Sequence, residues 1–189
     1  SAGAAPSTET CPVLAGINGP VMVDLDDTII EVHGYAKQGS GYGYSGVRGL
    51  NALIATVTTD EGAPIITGQR LRKGACGSPR GAARIIGDTL ATVKRLRSPH
   101  AATRPLLRAD SAFYGHPSVA AARRGGADVS ITVRLDPKVK AAISAIDEHA
   151  WTPIEYTDAI YDENTGRWIS RAEVAEIDFT AFSSRKASE

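Results

Sequence analysis

Cysteine is scarce in this 189-residue chain: Cys11 and Cys76 sit in no metal-ligand spacing and are too few to staple a protein of this size. A disulfide-built secreted scaffold is therefore excluded, and a reducing, cytoplasmic setting is expected. Net charge is lacking as well, because 21 Lys and Arg balance 21 Asp and Glu. Affinity for a polyanion would have to come from local clustering rather than overall charge. No apolar run reaches the roughly 18 residues that span a bilayer, and the N-terminus lacks the charged and apolar regions of a signal peptide. Internal repeats are absent too. What is present is 42% hydrophobic residues, enough for one substantial core, which predicts a single globular domain or one domain plus part of another.

Charge is distributed unevenly. Arg70, Arg72, Lys73, Arg80, Arg84, Lys94, Arg95 and Arg97 face a single acid, Asp88, within their span, whereas the stretch from Asp147 onward is mainly acidic. The basic stretch is suited to phosphate, although Lys and Arg on a helix equally form an ordinary solvated face.

Residues 1–19 are rich in Ala, Gly, Pro, Ser and Thr without periodicity and read as a linker following something upstream. From Pro20, Val21, Val23 and Leu25 alternate with Met22, Asp24 and Asp26, the period of a strand. Residues 34–46 hold five glycines and three tyrosines and predict a flexible connection. Leu50–Thr59 and Ala63–Thr67 flank Asp60-Glu61-Gly62, a pattern that predicts a hairpin. Ala82, Ile85, Ile86, Leu90, Val93 and Leu96 recur at helical spacing between Ser78-Pro79 and Ser98-Pro99. A short strand at Pro105-Leu106-Leu107, a helix from about His116 to Arg124, and a strand at Val129–Val133 follow. Lys138–Ile146 reads as helical, and Ile154–Tyr161 and Trp168–Phe179 as strands around Asn164-Thr165-Gly166. The order strand, strand, strand, helix, strand, helix, strand is that of the ribonuclease-H-like fold, an α/β architecture. Its mixed sheet combines an antiparallel three-strand meander with two further strands and carries helices on its faces. A catalytic core over 20–147 and a strand-rich segment over 148–189 are the expected divisions.

Two motifs carry candidate chemistry. In Val23-Asp24-Leu25-Asp26-Asp27-Thr28 an apolar strand runs into three acids, and period-two geometry puts Asp24 and Asp26 on one face with Asp27 on the other. In Leu106-Leu107-Arg108-Ala109-Asp110-Ser111 a second strand ends on an acid before a helix. Either acid alone serves as well to end a strand or cap a turn. Together, on neighbouring strands, they can approach one cation.

Two reaction classes share this pair, and both use Mg²⁺. Asp24-Leu25-Asp26-Asp27-Thr28 matches the first motif of haloacid-dehalogenase-like phosphatases, with Asp24 as nucleophile and Asp26 as acid/base. Against that reading, such a fold requires a helix or cap after the nucleophile strand and a parallel sheet, whereas residues 34–67 read as a loop and a hairpin. No acid follows Asp110 until Asp128, and the basic stretch exceeds what a small phosphate monoester demands.

The combination of Asp24-Leu25-Asp26-Asp27-Thr28, Gly34-Tyr35-Ala36-Lys37-Gln38-Gly39 with Gly43-Tyr44, and Leu107-Arg108-Ala109-Asp110-Ser111-Ala112-Phe113-Tyr114 resembles the DDE transposases of actinobacterial insertion sequences. Glu155-Tyr156-Thr157 and the run from Trp168 to Glu176 resemble that family's strand-rich insertion. The resemblance implies metal-dependent DNA cleavage and strand transfer with Mg²⁺ or Mn²⁺. Its partners are double-stranded transposon ends and target DNA, with a homodimer in a synaptic complex and no membrane. It places Asp26 as the first catalytic, metal-binding Asp, with Asp24 in reserve, and Asp110 as the second. Lys37 and the basic residues from Arg70 to Arg97 are the DNA-binding set, and Tyr42 and Tyr44 either contact DNA or pack locally. The family's third ligand is a glutamate on a helix after the insertion. Glu155, Glu163, Glu173 and Glu176 lie in strand or turn segments, so the resemblance assigns it to none of them, and a truncated, incomplete site is expected. A non-catalytic DNA-binding remnant is the third reading.

Overall fold

The alternation of Val21, Val23 and Leu25 with polar neighbours produces a strand with one dry face, and the architecture is built around it. The computed structural model describes residues 14–34 and 36–182. Strand β1 spans Val21–Glu31, β2 is the two-residue Gly41–Tyr42, β3 spans Arg48–Thr59 and β4 spans Gly62–Lys73. Helix α1 covers Ala82–Leu96, β5 Leu106–Ala109, α2 His116–Arg124 and β6 Asp128–Ile131. Helix α3, Pro137–Ser144, and strands β7, Thr152–Asp162, and β8, Arg167–Val174, complete the described elements. None of the described helices is long and apolar enough to cross a membrane.

The strands β1 to β6 form one mixed sheet. Strand β3 pairs antiparallel with β1 on one side and with β4 on the other, while β5 runs parallel to β1 and β6 parallel to β5. Gly49 pairs with Glu31 and with Gly41, so β2 prolongs the β4 side of β3. An antiparallel meander extended by two parallel strands is the ribonuclease-H-like order that the sequence pattern predicts. It is not the parallel sheet that the phosphatase reading requires.

One face of this sheet is dry. Val21, Val23, Leu25, Leu53, Ala55, Val57 and Leu107 bury against Ile85, Ile86, Leu90 and Val93 of α1 and Ala121 and Ala122 of α2. Each large aliphatic side chain so buried contributes about 1.5–3 kcal/mol of transfer free energy. The 14–19 turn is tied to this body rather than trailing from it. Leu14 and Ile17 pack on the core, and Arg97 and Thr103 donate to the Gly19 carbonyl at 2.9 and 3.0 Å. The preceding residues of the expected linker, 1–13, lie outside the described part.

Strand β4 runs six residues past the predicted Thr67. The basic residues there were expected to mark a phosphate-facing segment, but Arg70 and Arg72 pair in register with Leu53 and Asn51 as ladder members. The chain divides into two compact units at Val133/Arg134, and α3 falls in the second unit with the β7–β8 hairpin. In the second unit, β7 and β8 pair antiparallel with a register irregularity between Glu155 and Ile160, and Tyr161 meets Trp168 with ring centroids 5.4 Å apart.

Candidate active site

Alternation along β1 separates its acids. Val21, Val23 and Leu25 face the core, Asp27 continues that face, and Asp24 and Asp26 occupy the other. Asp27 is consumed internally: its Oδ2 accepts from an Arg72 terminal nitrogen at 3.0 Å and from the Asn51 amide, and both ion-pair side chains are almost fully buried. Arg72 also donates from Nε to Asn51 Oδ1 at 2.8 Å and to the carbonyls of Ser78 and Arg80 at 2.9 and 2.6 Å. Its guanidinium therefore ties β1, β3 and the segment leading into α1 together. Asn51 has no motif around it; it stands opposite Ile29 on β1 and Arg72 on β4, diagonal to Asp27 on the same face.

Asp24 has a different fate. Across the β1–β5 pairing it stands opposite Arg108, whose Nε and a terminal nitrogen reach its two oxygens at 2.7 and 2.9 Å. These hydrogen bonds are the main cause that raises the Arg108 pKa above its ordinary value, with the Asp24 charge adding to the effect and burial opposing it. A fork-to-fork pair fixes both side chains. Arg108 escapes a search for acids, yet its place two residues before Asp110 puts it on the same strand face.

The registered ladder continues through Leu25 opposite Ala109. Asp110 follows Ala109 with an extended backbone at φ −79°, ψ 179°, the position that a continued register would set opposite Asp26, on the face of Asp24 and Arg108. Parallel neighbours at that level are about 4.8 Å apart in the backbone. Both carboxylates are exposed. Each is also steadied through Oδ1, which accepts from the Asp27 amide at 2.7 Å for Asp26 and from the Ala112 amide at 2.9 Å for Asp110. Among the described residues no group of three or more His, Cys, Asp or Glu side chains stands in a metal-holding arrangement. Asp26 and Asp110 each offer an exposed carboxylate, a donor type that suits a hard cation.

The basic residues are dispersed. Arg70 pairs with Asp88 at 2.7 Å, and Arg97 holds the start of β1 through Gly19. Arg84, Lys94 and Arg95 are exposed on α1, which packs against the core face, so the sheet lies between α1 and the Asp26–Asp110 face. Lys94 and Arg95 fall in the last helical turn, where cations complement the helix dipole. Lys37, Lys73 and Arg80 are exposed. Tyr42 and Tyr44 project into solvent and do not pack locally.

The mixed sheet thus carries one acid in the middle of β1 and another just after the parallel neighbour β5. The sequence profile described as "Transposase DDE domain group 1" matches residues 11–187. The chain belongs to that transposase DDE domain family. No curated protein matches it. Among solved structures, a piggyBac transposase in a synaptic complex with hairpin DNA is similar, with 12% sequence identity and a TM-score of 0.44. That likeness covers 86% of this chain and 35% of the other, so the chain spans about a third of that protein's length.

Proposed function

We propose that this chain is DNA-cutting and strand-transferring machinery of an insertion-sequence transposase, with Asp26 and Asp110 as its metal-binding carboxylates. What supports the reading is the parallel β1–β5 register, which runs to Leu25 opposite Ala109, the residues just before Asp26 and Asp110, while Arg108 occupies Asp24 and Arg72 occupies Asp27. Of the β1 acids only Asp26 is then left both exposed and, in a continued register, opposite the acid that follows β5.

Asp26 and Asp110 would hold divalent metal, Mg²⁺ or Mn²⁺, which when bound would activate a water or 3′-hydroxyl and neutralise charge on the leaving oxygen of an in-line displacement. Asp26 would act as the first metal-binding carboxylate and Asp110 as the second. The Asp27 and Ala112 amides restrain the two carboxylates before any substrate arrives, so less ordering is needed at the moment of reaction. In the cleavage step water adds to the scissile phosphorus, the P–O3′ bond breaks, and the 3′-oxygen leaves as a hydroxyl. In strand transfer that hydroxyl attacks a target phosphodiester and displaces its 3′-oxygen. Double-stranded transposon ends and target DNA are the substrates, and a homodimer would synapse two ends.

The third carboxylate on this reading is not Glu155 of β7, Glu163 of the hairpin turn, Glu173 of β8 or Glu176, because none of them sits on a helix. On this reading the acids of β1 and of the segment after β5 supply two of the metal's carboxylates. A test uses Mn²⁺ titration together with nicking of transposon-end DNA. Asp26→Ala and Asp110→Ala should each abolish both tight Mn²⁺ binding and nicking, whereas hydrolysis of p-nitrophenyl phosphate lost on Asp24→Ala would replace this reading with a phosphatase.

A further inference from the structure

Beyond the acid pair, the far end of β1 carries a cavity of about 680 Å³ with an aromatic rim. Tyr42 and Tyr44 stand on that rim with 68% and 110% of their surfaces exposed. Exposed tyrosines usually wave freely, but this segment is pinned. A Cβ on Gly43 would meet the Gly74 carbonyl at 2.6 Å, and one on Gly74 would collide with the Gly41 and Gly49 carbonyls. Three backbone stretches are therefore stitched at glycines, which holds the backbone that carries both rings at the edge of the opening. The wall below is mixed. Ile29, Val47 and Cys76 are apolar, Ser45 and Ser78 bring hydroxyls, and Glu31 brings an exposed carboxylate. Asp27 also lines it, with its charge offset by Arg72.

This chemistry rejects a phosphate and accepts a flat ring that donates N–H. The phosphate has its own place next door. Ala75 and Cys76 also border a second cavity of about 430 Å³, where Lys73 and Arg80 are exposed and not held in the internal bonds that occupy Arg70 and Arg72. An aromatic-rimmed hollow adjoining a basic one has the shape of a nucleotide's two halves. Thr28, which lines the first cavity, is two residues from Asp26, about 7 Å along the strand.

We propose that this cavity receives an unpaired nucleobase, stacked by Tyr42 and Tyr44, while Lys73 and Arg80 hold its phosphate. The assignment rests on the DNA reading above and gives it a preference for DNA with frayed or single-stranded ends. Aromatic stacking suits any base, and the Glu31 carboxylate favours those with an exocyclic amino group.

The test compares three fluorescent oligonucleotides on the full chain: a blunt duplex, the same duplex with a three-nucleotide overhang, and that overhang made abasic. The wild-type chain should bind the base-bearing overhang about 5- to 100-fold more tightly than the abasic one. Tyr42→Ala/Tyr44→Ala should remove that difference and leave blunt-duplex affinity within about twofold, since neither exposed ring supports the core. A 2-aminopurine in the overhang should be quenched by wild type and not by the variant. Equal binding of base-bearing and abasic overhangs by wild type, with salt-sensitive duplex binding intact, overturns the base site alone. Loss of all DNA binding overturns both the site and the DNA reading beneath it.

Discussion

Arg108 grips Asp24 across two neighbouring parallel strands, with its Nε and a terminal nitrogen at 2.7 and 2.9 Å from the two carboxylate oxygens. The pair is roughly half exposed, so its direct contribution to stability is small. Its consequence is chemical. On the proposed reading it takes Asp24 out of competition for the first metal position.

Asp24→Asn is therefore expected to leave Mn²⁺ affinity within about twofold, because the displaced charge faces a guanidinium and not a cation. Asp26→Asn should lower it on the order of tenfold or more, since one of two hard oxygen donors is lost. Calorimetric titration of the two variants measures this without DNA. The reverse ranking would make Asp24 the ligand and Arg108 a mere neighbour.

Burial of the Asp27–Arg72 pair predicts a stability effect of a different size. Removing one partner strands the other's charge beneath Asn51 and the α1 entry, where losses of about 3–5 kcal/mol are usual. Asp27→Ala and Arg72→Met should each shift the urea midpoint strongly. The double variant should be less destabilised than the sum, because neither charge is then left alone. Additive losses would show that the two side chains do not share one network.

The same pair shows which features were legible in the sequence. Alternation placed Asp27 on the opposite face from Asp24 and Asp26, and the ribonuclease-H-like order followed from apolar periodicity and turn residues. The end of β4 was not legible, because Arg70, Arg72 and Lys73 look like a surface run. What makes Arg72 internal is an acid 45 residues away in sequence. Arg108 was hidden likewise, since its partner becomes visible only once β5 is set parallel to β1 in a particular register. The separation of the α1 cations from the acid face is also a tertiary fact: charge clustering along a chain does not say on which side of a sheet a helix lies.

Two glycines next to α1 should respond in opposite directions. A Cβ on Gly125 would meet the Leu90 Cβ at 2.9 Å and collide with its Cδ1, at the junction where α2 ends against the buried face of α1. Gly125→Ala should destabilise by about 1–3 kcal/mol through overpacking. Gly87 lies inside α1 with nothing within 4 Å of an added Cβ. Gly87→Ala should stabilise by about 0.5–1 kcal/mol, as alanine loses less backbone freedom in a helix. Thermal melts of the two variants test the packing, and a stabilising Gly125→Ala would contradict the close approach of α2 to Leu90.

Asp162 closes the turn between β7 and β8 and carries a pH signature. Its Oδ2 accepts from the Thr165 hydroxyl at 2.6 Å and its Oδ1 from the Asn164 amide at 3.0 Å, and these bonds hold its pKa below the ordinary value. A carboxylate whose folded pKa is depressed binds its proton more weakly than in the unfolded chain. The turn stabilisation it gives is thus complete above the unfolded value of about 3.9 and is lost as pH falls through the lower folded value. Order in the Asp162–Gly166 turn should therefore persist at about pH 4 and disappear only in more acidic solution. Thr165→Val removes the larger of the two causes and should move the Asp162 titration, followed by carboxyl NMR shifts, back towards the ordinary value. An unchanged midpoint in that variant would show that the hydroxyl bond does not form in solution.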